Sequence, residues 1–179
     1  MPPFGLMEAF LNLKEVTDLS IWKRTELWCC LLGIALGISN ILWQPCLFVR
    51  AQGKLVTVTV AMPGEPFSLR FIHSVQKTPV VENLAIANDG QGVVLHSTKY
   101  QSFGVGLPFL ESEGNFHEEG DFFIFDNMER YFPKLDLRTG VGTKLTLIMN
   151  GREYRLYEEY PPGTMINIYI QPFLRGVWQ

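Results

Sequence analysis

The residues best suited to chemistry in this sequence are a histidine and a glutamate on either side of one turn. His73 and Glu82 belong to two runs of alternating apolar and polar residues, separated by residues 76–79. If those four residues connect two antiparallel strands, His73 faces Glu82 with Cβ atoms about 5 Å apart. The next hairpin could bring His96 or Thr98 alongside. The pattern predicts either a pocket or two polar groups that satisfy each other within a core.

The other residues with reactive side chains do not form a recognisable catalytic or cofactor site. Ser74 follows His73 directly, and successive strand side chains point to opposite faces, so the two cannot form a nucleophile–base dyad. The sequence has no nucleophile elbow, phosphate loop, dinucleotide fingerprint or metal motif. The acidic run at 111–121 lacks the spacing of a calcium loop and is interpreted as a solvated loop. We expect no cofactor and no metal, and the pattern favours a binding protein over an enzyme. The alternative is an anchored small-molecule-binding or hydrolytic domain that uses His73 and Glu82 as its pocket.

The segments around these residues have the two-residue period of β-strands. Asn150 and Gly151 lie between two such segments and predict a two-residue hairpin turn with positive φ at both positions. Regularly spaced short strands indicate an all-β domain, an antiparallel β-sandwich or a barrel-like fold. The middle, residues 104–142, is interpreted as a long functional loop. The predicted strands are residues 54–60, 67–75, 80–87, 93–103, 144–149, 153–157 and 165–171.

The N-terminal part of the chain has the composition of a membrane span. Residues 27–49 contain no charged residue and no histidine, and about 20 apolar residues are enough to cross a bilayer as a helix. Pro45 is expected to end the helix. Lys23 and Arg24 precede the run, which favours a cytoplasmic N-terminus and a C-terminal domain outside the cytoplasm. The alternative is a cleaved signal peptide, with a small-x-small cleavage site at residues 37–39.

These patterns divide the chain into three parts. We expect a cytoplasmic segment at 1–24, a transmembrane anchor or signal sequence at 25–45, and an extracytoplasmic β-rich domain at 46–179. No cysteine follows Cys46, so the domain cannot contain an internal disulfide. The net charge of -3 gives no basic surface for nucleic acid, so the bilayer is the partner that the sequence itself indicates.

Two segments resemble motifs of a bacterial family. Residues 67–82, with the histidine–serine–valine and threonine–proline–valine steps followed by glutamate, resemble the signature of the family called domain of unknown function 1850. Residues 100–108 are similar to that family's second motif. The resemblance covers roughly residues 45–171. Besides His73 and Glu82, the motif residues in this sequence are Ser74, Thr78, Pro79, Tyr100, Ser102, Gly104, Gly106 and Pro108.

The resemblance implies a setting rather than a reaction. Members of the family have one N-terminal hydrophobic segment, and their genes often lie near those of tripartite ATP-independent periplasmic transporters. The implied partner is a transporter membrane subunit or its solute-binding protein, in a bacterial cytoplasmic membrane. No activity is established for the family, so the resemblance implies no catalytic residue. The loop at 104–108 and the acidic residues after it are the candidate contact surface.

Overall fold

A computed structural model describes residues 4–101 and 114–178, with side chains from Lys23 onward. The chain divides into two compact units, a helical one that ends at Trp43 and a β-rich one that begins at Gln44.

The helical unit is one long α-helix, α1, over Phe4–Trp43. Its segment Lys23–Trp43 has 21 residues, a mean hydropathy of 1.6, and no part buried in the structure. At 1.5 Å per residue this segment is about 30 Å long, which matches the hydrocarbon thickness of a bilayer. The helix is therefore long and apolar enough to cross a membrane, as a membrane anchor or a signal sequence does.

The β-rich unit contains twelve strands in its described residues, and every pairing between them is antiparallel. This confirms the expected all-β domain. The strands are β1 (Pro45–Ala51), β2 (Lys54–Val60), β3 (Pro66–Ile72), β4 (Pro79–Ile86), β5 (Val93–Tyr100), β6 (Asn115–Glu119), β7 (Phe122–Asp126), β8 (Arg130–Phe132), β9 (Lys134–Arg138), β10 (Thr146–Met149), β11 (Arg152–Arg155) and β12 (Met165–Pro172). Two short helices, α2 (Leu156–Glu159) and α3 (Phe173–Val177), complete it.

The strands form two sheets that share one hydrophobic core, as in a β-sandwich. The smaller sheet has the order β2-β1-β12-β9, and the larger has the order β11-β10-β3-β4-β5-β7-β6, with β8 also paired to β5. Both sheets contribute to the same cluster of buried side chains. The alternation seen in the sequence thus places apolar residues between the sheets. Core members from the smaller sheet include Leu47, Val49, Leu135, Ile166 and Ile168, and those from the larger include Leu69, Leu84, Leu95, Phe125 and Leu147.

The hairpin predicted at Asn150 and Gly151 is confirmed. The two residues connect β10 to β11, and their φ angles are 52° and 70°. Both lie in the left-handed region, which asparagine and glycine adopt at the least steric cost.

The prediction that the helix ends at Pro45 is confirmed, and the uncharged run at 27–49 therefore spans two elements. The helix ends at Trp43, and β1 begins at Pro45. In β1 six of seven residues are buried. One face meets the core, while the other packs under α3, where Gly176 lies against the ring of Phe48. A strand covered on both faces loses its polar alternation, and β1 therefore looked like a continuation of the apolar helix.

The interpretation of 104–142 as one long loop is wrong for its described part, because β6, β7, β8 and β9 lie there. All five residues of β6 are exposed. A strand with no buried face has no apolar alternation to reveal it in the sequence. Residues 115–119, which belong to the acidic run, accordingly form an edge strand rather than a loop. Residues 102–113, including Ser102, Gly104, Gly106 and Pro108, lie outside the described residues.

Candidate functional site

A cavity of about 280 Å³ opens between the two sheets. The larger sheet supplies its wall from β3 and β4, and the smaller sheet supplies Leu137 and Arg138 from β9. This volume is near the lower limit of the roughly 300–1,000 Å³ of small-molecule sites, so it suits a compact ligand. Its lining residues are Leu69, Phe71, Ile72, His73, Ser74, Glu82, Leu137, Arg138, Thr143 and Leu145.

The cavity lies at one end of the sandwich. Leu137 pairs with Ile166, which in turn pairs with Ala51 at the last position of β1. The first position of β1 is Pro45, six residues before Ala51 on the strand. At about 3.3 Å per residue, the cavity is about 20 Å from the point where the β-rich unit begins.

Glu82 interrupts a row of buried, uncharged side chains across the larger sheet. It pairs with Leu69 on one side and with Thr98 on the other, and the row continues to Leu147 and Phe125. Every other member of the row is almost fully buried. Directly opposed residues of antiparallel strands share a face, so the carboxyl group of Glu82 projects from the apolar face toward the cavity.

The carboxyl group of Glu82 makes no direct contact with a counter-ion. It forms no hydrogen bond or ion pair with any described residue. Burial raises the pKa of Glu82, and the guanidinium of Arg130 opposes that rise. Loss of water disfavours the charged carboxylate, and here no hydrogen bond compensates for it. The hydroxyl of Thr98, which is fully buried, also lacks a hydrogen-bond partner in the described part of the chain.

The prediction that His73 faces Glu82 across a turn at 76–79 is wrong. Strand β3 ends at Ile72, which pairs with Pro79, and Glu82 pairs with Leu69 instead. Both His73 and Glu82 nevertheless line the cavity. The predicted pair therefore belongs to one site, but it is not a cross-strand pair.

Hydrogen bonds within the turn explain why the observed register of β3 and β4 differs from the predicted one. The imidazole Nδ1 of His73 accepts hydrogen bonds from the backbone amides of Val75 and Gln76, at 3.3 and 3.2 Å. The backbone of His73 also bonds to Lys77 and Thr78, at 3.0 and 2.8 Å. These bonds turn the chain immediately after β3, earlier than a regular hairpin would. Because Nδ1 accepts, the neutral imidazole carries its proton on Nε2.

Arg138 is the second charged residue without a counter-ion at the cavity. Its Nη1 donates to the carbonyl of Gly163 at 3.3 Å, and no described carboxylate lies within ion-pair distance of it. The sequence interpretation missed Arg138 because strand β9 was assigned to a loop. The alternation of residues 134–138 was a signal for that strand.

The other predicted site residues within the described part of the chain lie in the turn, the strands or the core. Thr78 accepts the turn bond from His73, and Pro79 begins β4. Tyr100 is fully buried with its ring 5.8 Å from that of Phe123, and burial raises its pKa. Of the two candidates from the next hairpin, Thr98 lies beside Glu82, whereas a β-bulge displaces His96.

The chemistry available at the cavity is recognition by charge and hydrogen bonding. Ser74 is exposed, and no hydrogen bond joins it to His73 in the described residues. Within residues 23–101 and 114–178, no three histidine, cysteine or acidic side chains are placed to hold a metal ion. The cavity presents a carboxyl, a guanidinium and an imidazole around an apolar wall.

Glu82→Gln should make stability less dependent on pH. The raised pKa means that the folded state binds more protons than the unfolded state, so stability falls as pH rises from the unfolded pKa through the folded one. Glutamine does not ionise, so the Glu82→Gln variant does not lose stability in this way as pH rises. At pH 8 it should be more stable than the wild type by about 1 kcal/mol, at the lower end of the cost of an unsatisfied buried polar group, and nearly equal at pH 4.

Chemical unfolding of the two proteins at both pH values measures this difference. Glu119→Gln is the matched control, because the Lys99 ion pair lowers the pKa of Glu119 and this variant should not gain stability at pH 8. A Glu82→Gln variant that is less stable than the wild type at pH 8 would contradict the assignment of Glu82 as an unpaired carboxyl.

Comparison with known proteins places the cavity within a recognised domain. The family described as domain of unknown function (DUF1850) matches residues 67–156. The match includes His73, Glu82 and Arg138, which are the charged or titratable residues of the cavity lining. No curated protein and no solved structure matched the chain. The match covers half of the chain, and the chain belongs to the domain of unknown function 1850 family.

Proposed function

We propose that this chain is a membrane-anchored binding protein whose β-sandwich takes a small ligand in the cavity at Glu82. The observation that carries the proposal is a carboxyl group with no partner that projects from an apolar sheet face into a cavity. Partial burial of a carboxylate that has no hydrogen-bond partner costs about 1 kcal/mol. A ligand that donates a hydrogen bond or a positive charge to Glu82 would offset this cost, so the free site favours such a ligand.

Binding accounts for this site better than catalysis. A hydrolytic site would need a nucleophile within hydrogen-bond reach of a base, and Nδ1 of His73 is already occupied by two backbone amides. These bonds hold the imidazole in one orientation, which suits a fixed donor. The proposal therefore gives His73, Glu82 and Arg138 the role of ligand contacts.

A bulky residue at the mouth of the cavity should abolish binding without disturbing the core. Ser74 is exposed and lines the cavity, so Ser74→Trp should fill the opening. Gln76→Trp places the same ring in the same turn but outside the lining, and it serves as the control. The measurement is mass spectrometry of small molecules released by denaturing each full-length protein after purification in detergent.

A small molecule released by the wild type and by Gln76→Trp, but not by Ser74→Trp, is the expected result. Identical release from all three proteins, or none from any, would contradict the cavity as the binding site.

We further propose that the protein is a single-pass accessory of a tripartite ATP-independent periplasmic transporter. In this proposal the N-terminus is cytoplasmic and the β-sandwich is periplasmic. The support is the exposed apolar segment Lys23–Trp43, the basic residues Lys23 and Arg24 at its start, and the transporter association that the family resemblance implies. A tether raises the effective concentration of a membrane-embedded partner, so a weak contact is enough.

This arrangement predicts that the protein co-purifies with a transporter membrane subunit or its solute-binding protein from cross-linked membranes. Alkaline phosphatase fused after the last residue should be active, since this enzyme folds only outside the cytoplasm. A variant in which an unrelated span replaces residues 23–43 distinguishes contacts of the helix from contacts of the β-sandwich. Inactive phosphatase would reverse the topology, and purification without any transporter component would remove the transporter from the proposal.

A further inference from the structure

We infer that the cavity is built for a zwitterion, specifically an α-amino acid with an apolar side chain. The inference deepens the proposed function, since it names the ligand class of the same site. It rests on two opposite charges that line one largely apolar cavity from different sheets, a partly buried Glu82 and an exposed Arg138.

The two charges come from different sheets and do not neutralise each other. Glu82 lies on β4 of the larger sheet, and Arg138 lies at the end of β9 in the smaller sheet. Both line the cavity, yet no ion pair joins them. A ligand between the sheets therefore meets an acceptor on one wall and a donor on the other. An ammonium group suits Glu82, and a carboxylate suits the planar fork of Arg138.

The side chains of the lining that can donate hydrogen bonds to a carboxylate include Arg138 and His73. The hydroxyl of Thr143 is engaged with the backbone of Gly140, both as donor and as acceptor, at 3.0 Å. His73 has Nδ1 occupied, so its Nε2–H is the remaining donor of the imidazole. His73 and Arg138 thus both offer donors, whereas Glu82 is the one carboxylate of the lining.

The rest of the lining specifies an apolar body. Leu69, Phe71, Ile72, Leu137 and Leu145 provide hydrocarbon surface and no hydrogen-bonding side-chain atoms. An aliphatic side chain of the ligand would bury apolar area against them, at about 25 cal/mol for each Å². The cavity volume of about 280 Å³ limits the ligand to the size of a single residue or slightly more.

A ligand with only one charged group would fit less well. An amine without a carboxylate leaves Arg138 without a counter-ion, while a carboxylate without an amine brings a second negative charge toward Glu82. Two like charges close to each other disfavour such a complex. A zwitterion satisfies both walls and adds no net charge to the cavity.

Three probes with one carbon skeleton test this inference. L-leucine carries both groups, 4-methylpentanoate lacks the amine, and 3-methylbutylamine lacks the carboxylate. Isothermal titration of the full-length protein in detergent should show L-leucine binding at least about tenfold more tightly than either fragment, because each fragment loses one charge-assisted contact.

Variants assign each group to its wall. Glu82→Gln should weaken L-leucine about tenfold or more and leave 4-methylpentanoate unchanged or tighter, whereas Arg138→Gln should weaken L-leucine and 4-methylpentanoate but not 3-methylbutylamine. Arg155→Gln is the control, because Arg155 is an exposed arginine that pairs with Glu153 and Glu158 and does not line the cavity. Its affinities should equal those of the wild type.

Equal affinity of L-leucine and 4-methylpentanoate would overturn the inference and indicate an anion site. Binding of none of the three probes would also overturn it. In that case a co-purified molecule that is lost in Ser74→Trp would leave the proposed function intact, and the absence of such a molecule would remove both.

Discussion

The apolar contact between the two sheets is the constraint on which the rest of the β-rich unit depends. Its described residues contain no disulfide and no group of side chains placed to hold a metal ion, so burial of apolar area holds the sheets together. The contact is continuous along β1, β12, β3 and β10, whose inward residues are almost fully buried. At the end near Arg138 the sheets leave a cavity. The core therefore determines both the fold and the position of the opening.

Glu82 is unusual because the core residues beside it are buried and uncharged. Its neighbours in the row, Leu69 and Thr98, are buried, so a leucine at this position would add apolar area to the contact. The carboxyl instead remains without a partner. Residues that break a local rule without compensation are commonly functional. Arg138 on the facing sheet is exposed at the end of β9, and it adds a second charged group to the cavity lining.

The sequence could predict the elements that have one buried and one exposed face. Strand β12 lies within one residue of its predicted bounds, and the turn at Asn150 and Gly151 formed as its residue types required. Strands without that asymmetry were missed, since β1 is buried on both faces and β6 is exposed on both. Period-two patterning disappears in either case.

The candidate site could be predicted only in part. His73 and Glu82 were found because their spacing placed them near one turn, but their register depended on hydrogen bonds from Nδ1 of His73 to the following amides. Such a local hydrogen bond does not change the alternation of apolar and polar residues, so the sequence pattern could not predict it. Arg138 comes from the other sheet, and the pairing of β9 with β12 that places it there is non-local. Residue types alone could not bring Arg138 to Glu82.

The most direct measurement of the central claim is the titration of the Glu82 carboxyl group in the full-length protein. Carbon-13 labelling of glutamate side chains allows each carboxyl to be followed by nuclear magnetic resonance, and the signal missing in Glu82→Gln identifies Glu82. A buried, unpaired carboxyl should titrate above the ordinary glutamate pKa of about 4.3, and an ammonium-bearing ligand should lower that pKa. A pKa for Glu82 at or below the ordinary value in the ligand-free protein would show a solvated or paired carboxyl and would contradict the account.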